Sequence, residues 1–333
     1  MKKLLTLSLA LICLLTSFTF FGCYNPPKDK VNVKYYSTPA DIVKLFGKEE
    51  NIALIPEPAA TSLTKNMQNQ GKTIYRLDLQ QLYDGVYKAY PQAVLMVKKS
   101  ILGSHPNLVA TLESKITESV SWVKQNTATA VTAIESHGVT TLKAAALSES
   151  AIDGCKIFWQ SASNAKTDVK NYIDGIIEID SKKATAVSDD FFYTSSSLTT
   201  NKQSYTFIMP DGAPAIAAAK LMNDADDLST GKTVSYGVVA ANVIQAQMAS
   251  GVADIILAPV NLASKLYKQG DATDHYVMVA VVTHGNFYIM STEKITLFDL
   301  CGKQIAVPMM GAVPDWTMQM VLKKHGLSHA VVE

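Results

Sequence analysis

The sequence predicts an α/β protein of two lobes, each a mixed, mainly parallel sheet flanked by helices, with a cleft between them. Four segments carry this prediction by repeating one order: a short β-branched run, a proline or glycine turn, then small residues opening a helical pattern. They lie at 51–67, 205–222, 254–267 and 304–326. Apolar runs of four to six residues bounded by turns suit strands buried on both faces, and their alternation with helices argues for parallel pairing. Composition agrees: 48% hydrophobic and 18% charged residues are the proportions of a chain with a full core, and 333 residues suffice for two lobes of ordinary size.

The balance of 30 Lys+Arg against 29 Asp+Glu leaves no excess of positive charge for phosphates, so nucleic acid is not an expected partner. Cys13 lies inside an apolar leader and Cys23 ends it; Cys155 and Cys301, without a CxxC or Cys/His cluster, read as ordinary thiols with no disulfide. The leader is Met1-Lys2-Lys3 followed by an uncharged apolar run to Phe21, the pattern of a secretory signal over 1–22. An uncleaved signal anchor is the alternative, because the run is nearly long enough to span a bilayer. Gly22-Cys23 resembles a bacterial lipobox, in which the cysteine thiol is diacylated and becomes the first residue, although Phe20 stands where leucine is usual. Residues 23–30 then read as a lipidated, proline-containing tether.

Along the body, IPEPAATSL at 55–63 is the first strand-to-helix turn, and Tyr90-Pro91 opens a strand. Helical patterns follow at about 106–135, 140–151 and 161–178, with Leu108, Leu112, Ile116, Val120 and Val123 forming one apolar stripe that reads as core. The Ser/Thr-rich stretch 195–203 reads as a linker. In the three later strand-loop-helix units, Pro214 and Pro314 fall in the first helical turn, where a missing N–H costs nothing. In α/β sheets ligands gather beyond the carboxyl ends of strands, so these loops are where a site is expected.

Enzyme and metal motifs fail one by one. Gly231-Lys232-Thr233 has the tail of a P-loop, but Asp226 occupies the place of its first glycine. Asn223, Asp224, Asp226 and Asp227 lack the sixth-position glycine and twelfth-position glutamate of a calcium loop. The six histidines form no HExxH or other pair on one helix face, and there is no GxSxG elbow. No catalytic residue, metal or cofactor is therefore expected. Glu57 is the most informative carboxylate, read either as a helix cap or charge partner, or as a group facing an interlobe cleft. His284-Gly285-Asn286 reads as hinge support or ligand contact, and Trp316 as an aromatic wall or a core side chain.

MPDGAPAIAAAKLM at 209–222, GVADIILAPVNLASKLY at 251–267, VTHGNFYIM at 282–290, LCGKQIAVPMMGAVPDWTMQMVLKKHG at 300–326, IPEPAATSL, YPQAVLMVKKSILGSHPNLV at 90–109 and SDDFFYT at 188–194 together resemble the periplasmic-binding-protein superfamily. The similarity is to lipoprotein substrate-binding components of ABC importers of the nitrate, sulfonate, taurine and thiamine-precursor type. It implies an extracytoplasmic, membrane-anchored, monomeric solute-binding protein that passes a small molecule to permease subunits and is not an enzyme. A sensory or adhesive lipoprotein and a pyrimidine-synthase-like enzyme of the same fold are the alternatives. The cleft implied is formed by Asp211, Gly212, Ala213 and Pro214, by Pro259, Val260 and Asn261, by Gly311, Ala312, Val313 and Pro314, and by Glu57 and Pro58, with His284 and Trp316 beside them. With no arginine fork in these loops, the ligand expected is compact and partly apolar rather than a tightly held divalent anion.

The order of motifs departs from that family. Read as 204–333 followed by 31–194 it becomes conventional, which implies a circular permutation, or equally a remnant of tandem copies. On this reading 31–105 plus 292–333 form the second lobe, 106–194 plus 204–291 the first, and 195–203 joins the ancestral ends. Val332 should then lie beside Val33, the strands of Phe207 and Ile256 should share one sheet, and those of Ile305 and Ile55 the other.

Overall fold

A computed structural model describes residues 30–84, 90–269 and 273–332. The leader and the lipidation expected at Cys23 lie outside the described residues, among which no helix is long and apolar enough to cross a membrane. The strands in chain order are β1 (Lys30–Tyr36), β2 (Ile52–Pro56), β3 (Tyr75–Asp78), β4 (Pro91–Lys98), β5 (Ile157–Ser161), β6 (Ser204–Pro210), β7 (Thr233–Val239), β8 (Ile255–Pro259), β9 (Tyr276–His284), β10 (Phe287–Ser291), β11 (Gln304–Pro308) and β12 (Ser328–Val331). They form two six-stranded sheets, ordered β12-β1-β11-β2-β10-β3 and β5-β9-β4-β8-β6-β7, each the centre of an α/β lobe. In the first sheet β12, β1, β11 and β2 run parallel, and β10 pairs antiparallel with β2 and β3. In the second β8, β6 and β7 run parallel, while β5, β9, β4 and β8 are antiparallel neighbours.

Residues from opposite ends of the chain meet in the first sheet. Val331 faces Val33, and the Val332 N–H donates to the Val33 carbonyl at 2.9 Å. Ala306 of β11 faces Ala53 of β2, and Ile208 of β6 faces Ile256 of β8.

Three expectations are corrected. Strand β4, grouped above with 31–105, belongs to the second sheet between β8 and β9. Its sequence PQAVLMVK buries six of eight residues, so it needs covered faces and two neighbours, which the centre of that sheet supplies. The later lobe boundary falls at Gly285-Asn286 rather than after 291, because β10 already pairs with β2. The helix expected over 140–151 reduces to a 3₁₀ turn at Ala144–Ala146 and a short helix at Glu149–Gly154. Here the chain leaves its preceding helix at His137 to pair with β7: Gly138, at φ 150°, lies so close to the Val238 carbonyl that a Cβ would stand 1.9 Å from its oxygen.

Five helices frame the site: α1 (Ala59–Asn69), α2 (Leu108–Gln125), α3 (Glu149–Gly154), α4 (Ala162–Ile179) and α5 (Val313–Lys324). The stripe on α2 is core, with Leu108, Leu112, Ile116 and Val123 buried and Val120 packed against the same cluster. A single apolar cluster joins the two lobes, running from Val33, Leu54 and Ile305 of the first sheet through α4 and α5 to Met96 and Ile256 of the second. The Tyr172 and Thr317 hydroxyls hydrogen-bond across the α4–α5 contact at 2.7 Å. The Ser/Thr linker is pinned rather than free. The Thr200 N–H donates to Ser104 Oγ at 2.8 Å, and Lys202 Nζ reaches the buried Asp254 carboxylate at 2.6 Å.

Candidate ligand-binding site

A cleft of about 580 Å³ opens between the lobes, walled by one helix from each. On α1 the residues facing it are Thr61, Thr64, Lys65 and Gln68, the i, i+3, i+4, i+7 spacing of one helical face. The opposite wall is Ser150, Asp153 and Gly154 of α3, followed by Lys156 at the entrance to β5. Glu57, Arg76 and Tyr288 complete the lining.

Glu57 is the centre of the arrangement. It follows the buried strand β2, and its N–H donates to the Asn286 carbonyl at 3.0 Å, tying it to the crossover between lobes. Its carboxylate accepts from the Thr61 N–H at 2.9 Å, from Thr61 Oγ1 at 2.8 Å and from Arg76 Nη2 at 2.5 Å. The first of these satisfies an otherwise orphaned donor in the opening turn of α1. The other face of the arginine lies over the Tyr288 ring, 4.0 Å from its centroid, while burial pushes the Tyr288 phenol up to about 12. Gly154 seats α3 against the same carboxylate: a Cβ there would stand 2.8 Å from Glu57 Cγ. The neighbouring Cys155 thiol is raised by burial first and by Glu57 second, which keeps it protonated and unreactive. Glu57 is thus both a charge partner and a cleft residue.

The crossovers lie directly behind this site. The Gly285 N–H donates to the Tyr90 carbonyl at 2.8 Å, and the glycine sits flat on the Tyr90 ring. Tyr90 stacks in turn on Tyr172, with centroids 5.5 Å apart. Gln80 Oε1 accepts from the Phe287 N–H at 3.0 Å and from the Tyr90 hydroxyl at 3.3 Å. His284 is buried and stacked on Phe158 at 3.6 Å; its backbone N–H donates to the Lys156 carbonyl at 3.1 Å and its Nε2 lies 3.1 Å from Gln160 Oε1. Burial depresses its pKa to about 4, against a smaller opposing effect from the Lys156 carbonyl. The ring braces the crossover against β5 and does not line the cleft.

The remaining expected residues fall in two other places. The Asp211 carboxylate is occupied by its own lobe, accepting from Thr140 Oγ1 at 2.6 Å, the Thr141 N–H at 2.7 Å and Thr141 Oγ1 at 2.9 Å. Gly212 follows at φ 95°, with Ala213 and Pro214 in the first turn of a short helix. The loops of Pro259, Val260 and Asn261 and of Gly311, Ala312, Val313 and Pro314 both approach residues 183–184. There Asn261 Nδ2 donates to the Lys183 carbonyl at 3.4 Å, and Val260, Ala184, Val313 and Trp316 share the cluster that joins the lobes. The buried Asp315 holds the Gly311 N–H at 2.8 Å. Trp316 is therefore a core side chain, and Tyr288 is the aromatic face of the cleft. Of the expected residues only Glu57, flanked by Pro58, belongs to the cleft lining, whose other side chains include Lys65, Arg76, Asp153 and Lys156 beside the ring of Tyr288.

Sequence reasoning missed Arg76, for which a signal existed. It is the one arginine in a chain with 29 lysines, and a planar bidentate donor in so lysine-biased a sequence marks a position where lysine does not suffice.

No protein-family description matches the chain, and no curated protein matches it. Among solved structures it is similar to NikA from Brucella suis in complex with Fe(III)-EDTA, at 11% identity over 78% of this chain and 57% of that one, with a TM-score of 0.31. It is also similar to the oligopeptide-binding protein AppA from Bacillus subtilis in complex with a nonapeptide, at 10% identity over 80% of this chain and 57% of that one, with a TM-score of 0.34. The chain thus spans 57% of the length of each.

Proposed function

We propose that this protein is an extracytoplasmic solute-binding protein that holds a small polar molecule between α1 and α3, and that it serves an ABC importer as a lipoprotein anchored through Cys23. The observation that carries the reading is the Glu57–Arg76 pair, the sole arginine on a buried carboxylate, at the floor of a cleft with one wall from each lobe and the paired crossovers behind it. Both charges are already matched, so the pair offers a fixed, dry-backed surface at which ligand hydrogen bonds are strengthened by the low local dielectric. The shared apolar cluster limits how far the lobes part, so binding acts through modest movement of α3 against α1 rather than a wide hinge. The lipobox-like Gly22-Cys23 and the motif resemblance support the anchoring and the transport role. The pairing of β12 with β1 supports a permuted order of the same fold.

The test is native mass spectrometry of the purified chain for retained solute, followed by thermal-shift screening of a solute panel. Ser150→Trp, an exposed position on the α3 wall, is expected to fill the cleft and abolish the shift while leaving the melting of the free protein unchanged. A solute response indifferent to Ser150→Trp refutes this site.

A further inference from the structure

We propose that the ligand of this cleft is a small dianion carrying its two charges at opposite ends, of the dicarboxylate kind, held between Lys65 of one lobe and Lys156 of the other; this rests on the cleft being the solute site. The argument starts from charge. Five ionisable side chains other than tyrosine line the cleft: Glu57, Lys65, Arg76, Asp153 and Lys156. Glu57 is matched by Arg76, and Asp153 by Lys124 at 2.5 Å. Among the described residues Lys65 and Lys156 enter no ion pair, so two solvent-exposed ammonium groups, one on each wall, stand at the same cleft without a protein counter-charge.

The backbone of Lys156 is a second, independent observation. It holds φ 50°, in the left-handed region that a residue with a Cβ enters only at a cost. The surroundings impose that conformation, because the Lys156 carbonyl accepts the His284 backbone N–H at 3.1 Å and so is pinned to the crossover. The pinned backbone fixes where the Lys156 side chain leaves the cleft wall. Lys65 lies on the helical face that it shares with Thr61, Thr64 and Gln68.

Like charges on the two walls, both solvent-exposed, oppose a narrowing of the cleft to the extent that water and salt leave them unscreened, and a ligand charge at each wall removes that opposition. A monoanion can satisfy only one wall. A dianion answers both.

Isothermal titration of the full chain with succinate, glutarate and adipate, each against butyrate, tests the assignment. At least one dicarboxylate is expected to bind about tenfold or more tighter than butyrate, the effect of one charge-assisted contact, and to weaken as salt is raised. Lys65→Met and Lys156→Met should each reduce that dicarboxylate to about the level at which the parent binds butyrate, with the melting of the free protein unchanged. Butyrate binding as tightly as every dicarboxylate, no dicarboxylate binding at all, or dicarboxylate affinity unaltered in both lysine variants overturns the proposal. A neutral solute displaced by Ser150→Trp but indifferent to both lysine substitutions overturns the dianion and leaves the cleft standing, whereas binding indifferent to Ser150→Trp overturns the cleft itself.

Discussion

His284 gives the crossover a pH dependence whose sign and size follow from its surroundings. The imidazole is 1% exposed, covered on one face by Phe158 at 3.6 Å, and burial holds its pKa at about 4 against an ordinary 6.5. Above pH 6.5 the ring is neutral in both folded and unfolded chains, and the site adds nothing to the pH dependence. As pH falls through 6.5 the unfolded chain takes up a proton there and the folded one does not, so stability declines until the folded ring also protonates near pH 4. At about 1.4 kcal/mol for each factor of ten in protonation, the whole window is worth about 3 kcal/mol. His284→Gln keeps a neutral hydrogen-bonding side chain and removes the titration. Urea unfolding of both proteins at pH 7 and pH 4.5 isolates the effect, because the carboxylates titrate alike in the two and cancel in the difference. The natural protein is expected to lose about 2.5 kcal/mol more than His284→Gln between these conditions. Equal losses would refute the reasoning, showing the ring hydrated or charged in the folded state.

Arg76→Met strands the Glu57 carboxylate, 3% exposed, with only its Thr61 donors, and should cost about 3–5 kcal/mol in unfolding free energy; adding Glu57→Gln should recover much of that loss. Gly285→Ala would place a Cβ 2.3 Å from the Tyr90 ring, which is locked in a stack with Tyr172, so a loss of about 1–3 kcal/mol is expected by thermal melting. A chain reordered to run from Ser204 to the end and then from Lys30 to Thr194 should fold and bind like the parent, but not with a short joint. Because β12 and β1 are parallel with Val331 opposite Val33, the connection must travel back along the strand and needs a crossover of about a dozen residues. Insolubility of the reordered chain with that longer joint would count against the permuted reading.

Local order was legible because local chemistry decides it. The apolar stripe of α2, the strands ending at Pro56, Pro210, Pro259 and Pro308, and prolines in the first turns at Pro214 and Pro314 all follow from periodicity and from what proline cannot do. Even the meeting of Val33 with the last strand could be inferred, since motif order constrains topology without reference to side-chain contacts. Of the candidate cleft, only Glu57 was legible. Asp211 sits at a strand end as favourable as that of Glu57, yet Thr140 and Thr141 occupy its carboxylate, a partnership seventy residues distant that no local pattern announces. Gly311 and Asn261 also follow strand ends, but their loops approach residues 183–184 beside the apolar cluster that joins the lobes. Arg76 and Lys156 lie outside those strand-to-helix loops, and they enter the cleft because edge strands β3 and β5 flank the crossover from β9 to β10. The sequence by itself determined most of the segments that become strands and helices, but not 140–151, where pairing of the chain at Gly138 with β7 replaces the expected helix. Which of their ends face one another was decided by tertiary structure, because that depends on how two buried apolar surfaces, assembled from distant segments, come to share one core.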